Sequence, residues 1–373
     1  MSSQDAVSLT RDLLRFDTIN PPGRERDCAQ MAGALLKEWG YDVQYYEYAD
    51  TRTCVVARAG SADKKPLCLT GHLDVVPLGS RKWSKDPFAG ETDGDKLFGR
   101  GVSDMKSGVA AILLAARSFA NKLNGKSGIV IVLTAGEEGG CVGSAQLAKT
   151  QLLGNAGAMV VGEPTSNYPL VGHKGSIKFH ARFKGVSAHG SMPELGVNAI
   201  YKAAKAISLL EKFSFETKAH AVMGKPTLNV GIMEGGNTVN AVPDSATFGV
   251  DIRTVPGMDH EAVLKKLSDL MGADAQMEVF SNLKPVWTAP DQEWIQRVFE
   301  VCKPYVGEAP TARTAPYMTD AANLLKVYAG APTVVLGPGE AAMAHQTDEF
   351  ASMERIRQSV AIYEALIRDW AGR

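Results

Sequence analysis

The chain is 373 residues long, 45% hydrophobic and 22% charged, a globular composition with room for two domains, since single cores stop growing at roughly 250–300 residues. Lys+Arg total 40 against Asp+Glu 41, a net charge of −1, so no basic field exists to recruit nucleic acid or an anionic membrane surface, and neither is expected as a partner. No apolar run approaches the roughly 20 residues of a membrane-spanning helix, and "MSSQDAVSLTRDLLRFDTIN" lacks the uninterrupted apolar core of a secretory signal.

In chain order, "MSSQD" reads as a terminus that frays. "DCAQMAGALLKEWG" predicts an amphipathic helix stopped at Gly40. "PLCLTGHLDVV" is a strand, "SGVAAILLAARSFANKL" a strongly apolar helix, and "GIVIVLTAGEE" a continuous apolar strand. "VGSAQLAKTQL" is a further helix and "AGAMVVGEP" a further strand; near the end come the helix "TDAANLLKVYAG" and the strand "APTVVLGPG". Apolar strands alternating with helices predict an α/β fold: a largely parallel sheet covered by helices on both faces. The five cysteines (Cys28, Cys54, Cys68, Cys141, Cys302) are scattered without Cys-x-x-Cys spacing, which predicts reduced thiols in a cytoplasmic protein.

Between about His173 and Pro285 the texture changes. "HKGSIKFHARFKG" and "DSATFGVDIRT" alternate polar and apolar residues, as half-exposed strands do. With the helices "NAIYKAAKAISLLEKF" and "MDHEAVLKKLSDLMG" and the strand "TLNVGIMEGG", they predict a smaller α+β domain, 173–285, inserted into a domain made of 1–172 and 286–373.

Open parallel sheets bind ligands outside the carboxyl ends of their strands. There the sequence delivers His72 and Asp74 after "PLCLT", Glu137 and Glu138 after "GIVIVLTAG", and Glu163 after "AGAMVVG". His345 follows "APTVVLGPG", and Asp104 precedes the long apolar helix. Singly, each has an ordinary role open to it: Asp104 as a helix cap, Glu163 as a turn carboxylate, His345 as a surface histidine. Together, carboxylates crowded at one sheet edge resist ionising unless a cation neutralises them. Two imidazoles and three carboxylates suit Zn²⁺ or a similar divalent ion. That count fits two ions sharing one carboxylate, roughly 3.5–4 Å apart, with an activated water between them. Glu137 is then left as a general base and Asp74 as the carboxylate that orients the His72 ring.

"FDTINPPG", "GHLDVVP", "GRGVSDMKSG", "TAGEEGG", "VGEPT", "GVSAHGSMPELGVNAI", "NTVNAVPD" and "AHQTDEF" resemble, in order from Phe16 to Phe350, the acetylornithine deacetylase / succinyl-diaminopimelate desuccinylase / carboxypeptidase-G-type family of di-zinc amide hydrolases. The resemblance implies two Zn²⁺ per subunit, with Co²⁺ or Mn²⁺ able to substitute. It assigns His72 and Glu163 to one ion, Glu138 and His345 to the other, and Asp104 to both, with a cis peptide at Asp104-Met105. It makes the insert a lid and dimerisation domain of a homodimer, and gives His189 the role of oxyanion donor. Arg253 would bind a substrate carboxylate, and Asn240, Lys174, Gly175 and, in "LGPGE", Gly337 would make further substrate contacts. The implied substrate is an N-acyl amino acid, as for an acetylornithine deacetylase. A desuccinylase or a carboxypeptidase/dipeptidase is the alternative within the family, and a metal-stabilised binding protein the alternative outside it. An intact Glu137 argues against the last, because a structural site has no use for a base. Neither "GEEGGCVGS" nor "GRGVSDMKSG" has the lysine or spacing of a nucleotide-binding loop.

Overall fold

The computed structural model describes residues 5–61, 63–119 and 121–372; of the "MSSQD" expected to fray, the first four residues lie outside them, and Asp5 instead caps the helix Ala6–Leu14, accepting from Ser8 N at 2.8 Å. The chain divides into two units. One holds the described residues up to Gly172, Trp287–Ala315 and those from Thr319 onward; the other holds His173–Val286 with Pro316–Met318. No change of composition marks Pro316–Met318, so its place in the second unit is visible only in three dimensions.

The first unit is built on a six-stranded sheet in the order Asp42–Ala49, Arg52–Ala59, Ile129–Thr134, Leu67–His72, Ala158–Val161, Thr333–Val335. The last four strands run parallel, while the first two are antiparallel additions at one edge. Every residue of Leu67–His72, Ile129–Thr134 and Ala158–Val161 is buried, which follows when helices cover both faces. The helix Ser107–Arg117 is buried from Ser107 to Ala116. It packs against Ala6–Leu14 and Met353–Ala371, and Leu13, Ile112, Ile131, Val160 and Tyr363 share one core. The expected α/β architecture is therefore present. Two predicted helices are shorter than their patterns. "VGSAQLAKTQL" is helical over Val142–Leu147. "TDAANLLKVYAG" is helical only over Ala321–Leu324, after which Lys326 N to Asn323 O and Val327 N to Leu324 O, both 3.0 Å, tighten it into turns.

Leu67–His72 lies inside the sheet with its successors on opposite sides, Ile129–Thr134 and Ala158–Val161. The strand order reverses there, and such a reversal opens a crevice at the carboxyl ends. The polar residues singled out above follow those ends.

In the second unit, four antiparallel strands lie in the order Thr227–Gly235, Ser245–Thr254, Gly175–Lys184, Ala275–Leu283. Alternate residues of Ser245–Thr254 are buried. They join Phe179, Phe183, Ala203, Leu210 and Leu267 in a core under the helices Ala199–Glu211 and His260–Met271. The strand Ala275–Leu283 escaped the sequence pattern because its register shifts between Val279 and Ser281, which breaks the alternation. All five cysteines are buried and free of disulfides. Among the described residues no helix is long and apolar enough to cross a membrane.

Candidate metal centre

Two groups of side chains converge at the strand ends: His72, Asp104 and Glu163, and Asp104, Glu138 and His345. Within each group the potential ligand atoms lie within 4.8 Å of one another, and Asp104 belongs to both. His72 Nε2 is 3.1 Å from Asp104 Oδ1 and 3.8 Å from Glu163 Oε1. His345 Nε2 is 3.1 Å from Glu138 Oε2 and 3.5 Å from Asp104 Oδ2. Each of the two Asp104 oxygens thus faces a different imidazole. The Asp104-Met105 peptide is cis, as the resemblance implied.

Local backbone explains much of this placement. His72 closes a fully buried strand, and its Nδ1 lies 2.9 Å from the carbonyl oxygen of Asp74, which directs Nε2 toward the carboxylates. The Asp74 carboxylate stands 3.7 Å from that ring nitrogen. Its hydrogen bonds run elsewhere: it accepts from the backbone N–H groups of Glu137 (3.0 Å) and Glu138 (3.1 Å) and from Asn20 Nδ2 (2.8 Å). Asp74 thus holds the ring through its main chain, while its side chain pins the turn that presents both glutamates. Asn20 was not singled out from the sequence; "FDTINPPG" drew notice only as part of a motif.

Glu137 belongs to neither group. It is buried, and Cys141 Sγ approaches its Oε1 at 3.4 Å. Behind it Asp320, also buried, accepts from Thr134 Oγ1 and Ser144 Oγ. Asn323 Nδ2 donates to the Cys141 carbonyl and to Ser144 Oγ, both at 3.1 Å. Asp320 and Asn323 both fall in "TDAANL", whose helical pattern masked their polar role. Gly337 packs on the Glu163 segment, where a Cβ would meet the carbonyl oxygens of Gly162 at 2.2 Å and Glu163 at 2.6 Å. Its N–H donates to Thr165 Oγ1, and its carbonyl accepts from Asn167 N at 2.8 Å. The backbone of Gly337 is thereby engaged in supporting Glu163.

The electrostatics fit a cation. Burial, reinforced by the Asp104 charge, holds the Glu163 carboxyl well above the ordinary range, and the same two causes raise Glu138. Burial alone would lower the His72 imidazole, yet Glu163 and Asp104 raise it well above its usual value. Hydrogen bonds to Asp104 and Glu138 push His345 up to about 10. Three buried or half-buried carboxylates, Asp104, Glu138 and Glu163, around two imidazoles therefore draw in positive charge, and a divalent ion supplies it with nitrogen and oxygen ligands of the right kind.

The remaining predicted residues lie in the second unit. Its backbone joins His189 to Ala241 in an isolated bridge, with Gly190 N donating to Asn240 O at 2.7 Å, so His189 and Asn240 are neighbours. Ser191 N donates to His189 Nδ1 at 3.2 Å. An acceptor Nδ1 places the proton of the neutral ring on Nε2. Arg253 Nη2 donates to Asp251 Oδ2 at 2.9 Å, and its Nε stands 2.9 Å from Oδ1 in the same ion pair. Lys174 Nζ donates to the carbonyl of Lys225 at 2.7 Å. Gly175 is confined: a Cβ there would meet Thr254 Oγ1 at 2.3 Å and Pro285 N at 2.6 Å.

This fold and this cluster define a metal-dependent hydrolase. The sequence profile of Peptidase family M20/M25/M40 matches residues 68–369, and the chain belongs to that family. It is 31% identical over 401 residues to a protein named probable succinyl-diaminopimelate desuccinylase from Staphylococcus epidermidis, spanning 99% of this chain and 98% of the relative. It is 32% identical over 360 residues to an acetylornithine deacetylase from Photorhabdus laumondii, spanning 90% and 88% respectively. Among solved structures, an M20 family metallo-carboxypeptidase from Sulfolobus solfataricus superposes with a TM-score of 0.82 at 18% identity, covering 100% of both chains.

Proposed function

We propose that this protein hydrolyses the amide bond of N-acyl amino acids in the cytoplasm, in the manner of an acetylornithine deacetylase, with two Zn²⁺ per subunit that Co²⁺ or Mn²⁺ can replace. The carrying observation is that Asp104 is common to two ligand groups. His72 and Glu163 would complete one site, Glu138 and His345 the other. Divalent ions at these groups would polarise an amide carbonyl and lower the pKa of water. Glu137, buried beside the ligand Glu138 yet outside both groups, would take the proton from the attacking water and return it to the leaving amine. His189, its proton on Nε2, would donate to the oxygen that gains charge.

Arg253 would recognise the substrate carboxylate, with Asp251 holding its guanidinium in a set plane. Asn240, Lys174 and Gly175 would line the approach, and Gly337 would contribute by seating Glu163. The second unit would act as lid and dimerisation domain. Its support is an edge strand, Thr227–Gly235, paired on one side with Ser245–Thr254, that exposes Ile232 and Met233, beside a helix that exposes Tyr201 and Leu209.

Chelation is expected to abolish hydrolysis and added Zn²⁺, Co²⁺ or Mn²⁺ to restore it; full activity in protein shown metal-free by elemental analysis would refute the reading. N-succinyl amino acids are a second substrate class, favoured by the desuccinylase relative that spans 99% of the chain. A panel of N-acetyl, N-succinyl and N-formyl amino acids and dipeptides decides between them by kcat/KM. On the same panel, Arg253→Ala is expected to lower kcat/KM roughly ten- to a hundredfold more for acids than for the matching amides, which lack the charge it binds. Equal losses would make Arg253 structural.

A further inference from the structure

Glu349 stands outside both ligand groups, four positions beyond His345, and its side chain is completely buried. Its carboxylate is received by one turn of backbone. Oε2 accepts from Gly101 N at 2.8 Å, and Oε1 accepts from Ser103 N at 2.8 Å and Asp104 N at 3.1 Å. Arg100 Nη1, also buried, donates to Oε2 at 2.7 Å. Converging N–H groups and a guanidinium make a cradle for an anion, and here the anion is supplied from within the chain. Around it the same two segments are stitched again. Gly99 N donates to Glu349 O at 3.0 Å, Ser103 Oγ to Phe350 O at 2.7 Å, and Glu340 N to Ser103 Oγ at 3.0 Å.

The segment on one side of this junction carries Asp104, and the segment on the other carries His345. His72, by contrast, closes a strand of the sheet and Glu163 follows one within two residues, so the ladder already places them. His345 sits on a loop with its backbone in the left-handed region, φ 64°. Beyond Glu349 the chain pairs through Phe350–Ser352 with Lys96–Phe98, but neither Asp104 nor His345 lies in that ladder, so the bonds of Glu349 carry the spacing from the ladder to the two ligands.

Building on the two-ion reading above, we infer that Glu349 is a positioning residue that locks the spacing between Asp104 and His345, and so governs capture of the ion held by Asp104, Glu138 and His345. Glu349→Gln keeps the shape but turns an NH₂ group toward backbone donors, so the junction loosens. Loss should fall chiefly on that ion, because two of its three ligands, Asp104 and His345, are tied through the junction, while the ion at His72 and Glu163 shares only Asp104 and has its other two ligands placed by the sheet.

The test measures Zn²⁺ stoichiometry by elemental analysis and both dissociation constants by competition with a chromophoric chelator, on the full chain, with thermal unfolding alongside. Wild type is expected to hold two ions. Glu349→Gln is expected to bind one ion within a few-fold of wild type and the other at least tenfold more weakly. A general structural defect would weaken both. If Glu349→Gln does not fold, Ser103→Ala, which removes only the bonds through Ser103 Oγ, is expected to weaken the same ion by a few-fold. Two ions bound by wild type and bound equally well by the folded variant would overturn the inference alone. Fewer than two ions on wild type would overturn the two-ion reading and the inference with it.

Discussion

Glu137→Gln is expected to lower turnover by about 10²–10⁴-fold while metal content stays near that of wild type, the range a general base contributes. Its neighbour Glu138 is a member of a ligand group and Glu137 is not, although both backbone N–H groups are pinned by the same Asp74 carboxylate. The turn therefore sends two adjacent side chains to different tasks. Glutamine preserves volume and can still meet Cys141, so the fold around it has little reason to change. Asp104→Ala is the contrasting variant: it removes the one side chain common to both groups and should shed metal. Measuring kcat and bound metal on both variants separates the roles. Wild-type turnover in Glu137→Gln would move the base elsewhere.

His189→Ala is expected to cost about 10²–10³-fold in rate, the usual effect of removing one oxyanion donor. The Ser191 N–H that faces His189 Nδ1 supports that assignment, since a neutral ring that accepts at Nδ1 carries its proton on Nε2. If the lid and dimerisation domain brings His189 to a neighbouring subunit's site, His189→Ala and Glu137→Gln are each nearly inactive alone but partly recover when mixed under conditions that exchange subunits. A heterodimer rebuilds one complete site from two intact halves. Exchange confirmed by native mass spectrometry without return of activity would mean that His189 does not act across an interface.

What could be read from residues alone follows from their surroundings. Strands buried on both faces are uniformly apolar, so the first polar residues after "PLCLT", "GIVIVLTAG" and "AGAMVVG" stand out, and those are residues the structure gathers. The supporting groups were not legible. Glu349 follows an aspartate in a polar loop, Asn20 precedes two prolines, and Asp320 opens what reads as an ordinary helix; each acquires its partner from far along the chain. The edge strand Asp42–Ala49 was also unread, because its residues are exposed or half-buried and carry no continuous apolar run. The same limit explains Asp74: a strand-period spacing places it beside His72, but only the folded turn after Thr134 reveals that its carboxylate serves Glu137 and Glu138.

The parallel sheet also acts as a ruler. Ile129–Thr134, Leu67–His72 and Ala158–Val161 are consecutive neighbours, and hydrogen-bonded strands keep a separation of about 4.8 Å that side-chain changes scarcely alter. Glu138, His72 and Glu163 hang from successive rungs of that gauge, which no single substitution in the core can recalibrate. Asp104, in the helical turn Val102–Lys106, and His345, on the loop after Thr333–Val335, lie off that gauge. Any drift in the preferred ion between relatives of this protein would then be written in segments 99–104 and 337–349, leaving the strands silent.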